Sequence, residues 1–142
     1  MTIFVDTNVL VYAKDRSAPS KQIRADGWLR RLWAERSGVL SPQILREYYV
    51  AASRRGADQE RVRADVRALQ TWLTPETAVE PLEDAWTLQD RYGFSFFDSL
   101  MLASALAAGC RYVLTEDLQH GQKVASLTVL DPFVVEPLTN LL

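Results

Sequence analysis

Four carboxylates stand in this sequence where apolar residues are expected. Asp6 follows the apolar run "IFV", and Asp117 follows "YVLT" by two residues. Glu47 interrupts the row Ile44, Glu47, Tyr48, Ala51, whose i, i+3, i+4, i+7 spacing marks one face of a helix. Asp98 opens an almost wholly apolar helical stretch, with Met101, Leu102 and Ala105 continuing its face. An ionised carboxylate at the edge of a core is costly unless it caps a helix, pairs with a base or binds a cation. Taken singly, each acid has a purely structural reading. Asp6 can cap the next helix, Asp98 completes an S-x-x-D capping box with Ser95, Glu47 can pair with an arginine, and Asp117 can sit in a polar turn. Together those readings leave several inward carboxylates repelling one another with too few buried bases to offset them. A bound divalent cation accounts for all four at once.

The donor type selects the cation. A site made of carboxylate oxygens suits hard Mg2+, or Mn2+, and the chain's one Cys (Cys110) and one His (His120) cannot build a zinc cage. His120 is expected in a surface turn. Mg2+ held by a few carboxylates keeps open positions for water and phosphate oxygens, which points to phosphoryl-transfer chemistry. Neither a P-loop nor a nucleotide-binding glycine motif is present, so hydrolysis of a phosphodiester is the simplest case.

Positioning these acids requires alternating strands and helices. "TIFV" predicts a first strand and a helix begins near Asn8; residues 20–36 predict an amphipathic helix with Ile23, Trp28, Leu32 and Trp33 on its apolar side. "GVLS" predicts a second strand. Ser41 followed by Pro42 is a helix-start signal for "PQILREYYVAASR", with Ser41 as the cap. A helix from about Asp58 to Leu73, a strand near 78–80 and a helix from about Leu82 to Tyr92 follow. Phe97 to Ala108 predicts a helix buried on nearly all sides, ended by Gly109; "YVLT" and "LTVL" predict the last strands. Short apolar strands separated by helices make an α/β fold with a central parallel sheet and helices on both faces. Ligands in such sheets bind beyond the carboxyl ends of the strands, where Asp6 and Asp117 emerge.

The 142 residues, 48% hydrophobic and 24% charged, fit one domain over 1–142 with a core of its own. No apolar run approaches the roughly 18 residues of a membrane span, and the N-terminus lacks a signal-peptide pattern. With a single cysteine, the expectation is a protein of the reducing cytoplasm. The net charge of −2 argues against bulk adhesion to nucleic acid, but its distribution is uneven. Residues 1–70 hold 13 of the 16 Lys and Arg against 8 of the 18 acids, +5, and residues 71–142 hold 3 against 10, −7. One region can hold phosphates while another concentrates carboxylates.

Four segments, in order, resemble the PIN-domain ribonucleases and, among them, the VapC toxins of bacterial toxin–antitoxin pairs. They are "FVDTNVLVYA" with Asp6, "SPQILREYY" with Glu47, "FSFFDSLMLASALAAGC" with Asp98, and "VLTEDLQHGQ" followed by "LTVLDPF" with Asp117. The resemblance implies a three-layer α/β/α PIN domain with a single-strand RNA endonuclease site. It also implies that Asp6 and Asp98 are the principal metal ligands, that Glu47 and Asp117 complete the acidic pocket with Asp117 on the metal, and that Thr7, Asn8 and Thr115 support it. Glu116 lies beside Asp117, and sequence leaves open which of the two faces the metal. Arg46, Arg54 and Arg55 are candidates for holding flanking phosphates. The implied partners are an RNA substrate, a cognate antitoxin and a second copy in a symmetric dimer, with Trp28, Trp33, Tyr48, Tyr49 and Trp72 as candidate anchors for an antitoxin helix. Two alternatives stay open. One is a catalytically inactive PIN-like binding module, although such a module should have lost an acid. The other is a receiver-type phospho-signalling domain, against which stand Lys123 as the only late lysine and Glu47 inside a helix.

Overall fold

The computed structural model describes residues 1–137. Strands β1 (Ile3–Val5), β2 (Gly38–Val39), β3 (Tyr112–Leu114), β4 (Lys123–Val124) and β5 (Leu127–Leu130) form one sheet in the order β2-β1-β3-β5-β4. All neighbours pair in parallel except β4 with β5. Parallel strands need long crossovers, and helices supply them: α1 (Thr7–Tyr12), α2 (Pro19–Glu35), α3 (Pro42–Arg54), α4 (Gln59–Leu69), α5 (Leu82–Tyr92) and α6 (Phe96–Ala107). Helix α1 packs on α2 and α3, and α3 on α4, while α5 packs on α6. The result is the three-layer α/β/α architecture that the sequence predicts.

The sheet's centre is buried on both faces, which is why its strands read as continuous apolar runs. Ile3, Phe4, Val5, Val113, Leu114 and Val129 are all fully buried. Beyond the strands the ladder continues by one residue: Asp6 N donates to Leu114 O at 3.0 Å, and Thr115 N to Leu130 O at 3.0 Å. Register therefore sets Asp6 and Thr115 side by side at the carboxyl edge. Gly38 is demanded by packing, since a Cβ there would meet the Trp72 ring at 2.6 Å.

Four local expectations are corrected. Residues 78–80 form no strand; Thr74 and Thr77 close a turn on each other's hydroxyls (Thr74 N to Thr77 Oγ1 3.0 Å, Thr77 N to Thr74 Oγ1 3.2 Å), and Val79 is exposed. On α2, Trp28 and Leu32 are buried but Ile23 and Trp33 face outward, 75% and 48% exposed. Ser41 precedes α3 without capping it, its hydroxyl buried and unpartnered. Of the five candidate anchors, Trp28, Tyr48 and Trp72 belong to the core and Tyr49 is half-buried, so Trp33 alone among them is exposed; it lies against Trp72 with ring centroids 5.4 Å apart. No helix among the described residues is long and apolar enough to cross a membrane.

Candidate active site

The carboxyl edge of β1 and β3 opens into a cavity of about 360 Å³. Its walls come from the α1 start, the middle of α3, the first turn of α6 and the segment after β3, and they bring together Asp6, Glu47, Asp98, Glu116 and Asp117. All four acids singled out by their spacing thus line one space. Among the described residues none of those four makes an ion pair with Lys or Arg.

Asp6 is the most deeply held. It is the N-cap of α1, and Oδ1 accepts from Thr7 N at 2.6 Å. Oδ2 accepts from the Thr115 hydroxyl at 2.7 Å and from Asn8 Nδ2 at 3.1 Å. The same Asn8 amide reaches Thr115 Oγ1 at 3.2 Å and Asp117 Oδ2 at 3.1 Å, and Asp117 N donates to Thr115 Oγ1 at 3.1 Å. Asn8 and Thr115 therefore tie the acid after β1 to the acid after β3. The Asn8 amide orientation follows from this network, since turning it over would face its carbonyl with three acceptors. As oriented, Asn8 Oδ1 is buried without a partner.

Burial pushes the Asp6 carboxyl up to about 6, and the charges of Asp117 and Glu47 act in the same direction; the hydrogen bonds from Thr115 and Thr7 oppose the rise. Asp98 is half-buried at the third position of α6, where Ser95 caps the helix by accepting from Asp98 N at 3.1 Å. Burial also raises the Asp98 carboxyl, again with contributions from Asp117 and Glu47. The Ser95 cap is real, and it leaves the Asp98 carboxylate lining the cavity. Glu47 is more exposed than its apolar row predicts and stands at the rim, where its oxygens accept from Thr7 Oγ1 at 2.6 Å and Gln43 Nε2 at 3.0 Å.

The remaining candidates separate. Glu116 lines the cavity but is bound to Lys21, Nζ to Oε2 2.7 Å. Arg55 reaches the cavity wall and pairs with Asp15 at 2.7 Å, whereas Arg46 pairs with Glu80 at 3.2 Å away from it, and Arg54 is absent from the lining. Sequence reasoning missed Gln43, Tyr12 and Phe97, which also line the cavity. Gln43 was within reach, since it lies four residues before Glu47 on the same helix face. His120 is exposed in a turn, as expected.

Among the described residues no three or more His, Cys, Asp or Glu side chains form a ready metal cage. The donors present are nevertheless hard oxygens, and Asp6, Glu47, Asp98 and Asp117 have no ion pair among the described residues. Mg2+ is commonly held by one or two carboxylates plus water and substrate phosphate, which needs no closed protein cage.

Known structures share this arrangement of elements. A toxin–antitoxin complex from Klebsiella pneumoniae superposes with a TM-score of 0.62 at 19% identity, covering 93% of this chain and 98% of that one. VapC20 of Mycobacterium tuberculosis, a sarcin-ricin-loop-cleaving toxin, gives 0.54 at 24% identity over 79% of this chain and 87% of that one. VapBC2 from Rickettsia felis, bound to a fragment of promoter DNA, gives 0.59 at 16% over 91% and 97%. A comparison with curated proteins returned no significant match. The PIN domain family model matches residues 3–125, which include Asp6, Glu47, Asp98 and Asp117 with the strands and helices that carry them. By that match the chain belongs to the PIN domain family.

Proposed function

We propose that the chain is a Mg2+-dependent endoribonuclease, with Mn2+ able to substitute, that cuts single-stranded RNA as the toxin of a toxin–antitoxin pair. The observation that carries this reading is the cavity at the carboxyl edge of the sheet, into which a PIN-family chain brings four acids, none of them in an ion pair with Lys or Arg among the described residues. Asp6, Asp98 and Asp117 would hold the ion, with Glu47 completing the acidic wall. When bound, the cation would offset their repulsion and supply a water of lowered pKa beside a polarised phosphate. Thr7, Asn8 and Thr115 hold the carboxylates in place before substrate arrives, the preorganisation such a site requires. One of the four carboxylates takes the proton of the attacking water. Arg55, at the wall, is the one arginine of the three candidates placed to meet a flanking phosphate.

The same reading makes residues 1–142 one PIN domain acting in the cytoplasm, paired as a homodimer and held inactive by a cognate antitoxin. Toxin–antitoxin complexes among the structural neighbours support the antitoxin. A groove of about 220 Å³ beside Trp33, lined by Leu10, Ala13, Leu29, Tyr48 and Leu69, offers an apolar bed for a partner helix. In the test, the purified chain is incubated with single-stranded RNA and Mg2+. Cleavage should stop with a chelator and in Asp6→Asn and Asp98→Asn; undiminished cleavage by either variant would sink the site assignment.

A further inference from the structure

The acid that the site does not absorb is Glu116, and its partner is constrained from several directions. Lys21 Nζ bonds Glu116 Oε2 at 2.7 Å and lies 3.5 Å from the Tyr12 hydroxyl. It also sits over two rings, 4.6 Å from the Tyr12 centroid and 4.9 Å from that of Phe133, which meet edge to face at 5.3 Å. The ammonium thus has two aromatic faces and a carboxylate as neighbours, with the Lys21 side chain 42% exposed. The clamp joins α1, α2, the segment after β3 and the turn after β5. That last turn is itself pinned, with Phe133 N donating to Asp131 Oδ1 at 2.8 Å and Asp131 N to His120 Nδ1 at 3.1 Å.

We infer that Lys21 is a positioning residue that holds Glu116 as a neutralised wall of the cavity, out of the ion's coordination, and leaves Asp117 as the acid that faces the ion. This rests on the metal-site reading above. Asp117 is linked through Asn8 and Thr115 to Asp6, whereas Glu116, its neighbour in sequence, is bonded to Lys21.

Charge alone makes either single variant ambiguous. Removing Glu116 leaves an unpaired ammonium beside the cavity, which weakens cation binding through charge alone. The double variant resolves it. Mn2+ binding is measured by calorimetry on the full chain and on Lys21→Met, Glu116→Gln and Lys21→Met/Glu116→Gln, with melting of the metal-free proteins confirming that each folds. Lys21→Met keeps the apolar stem over the rings. The expected result is tighter binding in Lys21→Met, weaker binding in Glu116→Gln, and affinity restored to within about twofold of the unmodified chain in the double variant. A double variant as weak as Glu116→Gln would make Glu116 a ligand and overturn the inference while leaving the metal site standing. Absence of Mn2+ binding by the unmodified chain would overturn both.

Discussion

The cavity and the α2–α4 flank are both crowded with charge, but they handle it in opposite ways. Along the flank, much of the charge is paired: Arg30 with Asp26, Arg31 with Glu35 and Arg63 with Glu60, each one helical turn apart, and Arg55 with Asp15. Tyr48, the buried polar group of that region, gives its hydroxyl to Asp65 at 3.1 Å. Exposed pairs of this kind contribute little each. In the cavity, like charges are gathered from distant parts of the chain; Glu116 is paired with Lys21, but the other four acids have no ion pair and are held by neutral donors that include Thr7, Asn8, Gln43 and Thr115. Such an arrangement lowers stability unless a cation or substrate completes it, the usual sign of a site kept for function.

The largest expected effect is on the pH dependence of metal-free stability. Asp6 has a folded value of about 6 against 3.8 when exposed, so between those limits the folded chain holds more protons than the unfolded one. The associated stability, about 3 kcal/mol in full, is present below the lower value and lost as pH rises through the upper, and roughly 1.4 kcal/mol of it falls between pH 5 and pH 7. Asp98 is shifted in the same direction. Metal-free protein should therefore melt higher at pH 5 than at pH 7, and Mg2+ should remove much of that difference by stabilising the ionised cavity. A melting temperature that falls steadily from pH 7 to pH 5 would show that the cavity acids are not strained.

Next in size is Thr115→Val, which keeps shape but removes the hydroxyl joining Asp6, Asn8 and Asp117. Orphaned buried partners cost about 1–3 kcal/mol, and misplaced ligands should lower RNA cleavage by about 10- to 100-fold. Thermal melting and single-turnover cleavage read the two effects; full activity would mean that Thr115 only fills space.

The smallest effect belongs to the flank. Arg30→Ala removes one exposed i, i+4 pair and should change stability by less than about 0.5 kcal/mol, with cleavage untouched. A larger loss would show that the flank's charges act as a network.

The contrast also marks how far the sequence could be read. Helices α3 (Pro42–Arg54) and α5 (Leu82–Tyr92) matched their predicted spans, because Pro42 opens the first and Gly93, in the left-handed region at φ 76°, closes the second. The four acids were visible because each breaks an apolar period. What local pattern could not show was pairing across the chain. Strand β4 is a two-residue edge strand defined only by its antiparallel partner β5. The predicted strand at 78–80 gave way to the hydroxyl-closed turn at Thr74–Thr77. Lys21 left no signal either, since its partner lies 95 positions away.

The central claim is that the cavity's acids are kept at a cost in stability in order to hold a cation. It is tested most directly by melting the unmodified chain and Asp98→Asn at pH 7, with and without Mg2+. Asp98→Asn removes a half-buried charge while leaving an acceptor for Ser95, so without metal it should melt at or above the unmodified chain. Mg2+ at ten times its dissociation constant should raise the unmodified chain by about 3–5 °C and leave Asp98→Asn nearly unmoved. Equal shifts in the two proteins, or a metal-free Asp98→Asn clearly less stable than its parent, would contradict the account.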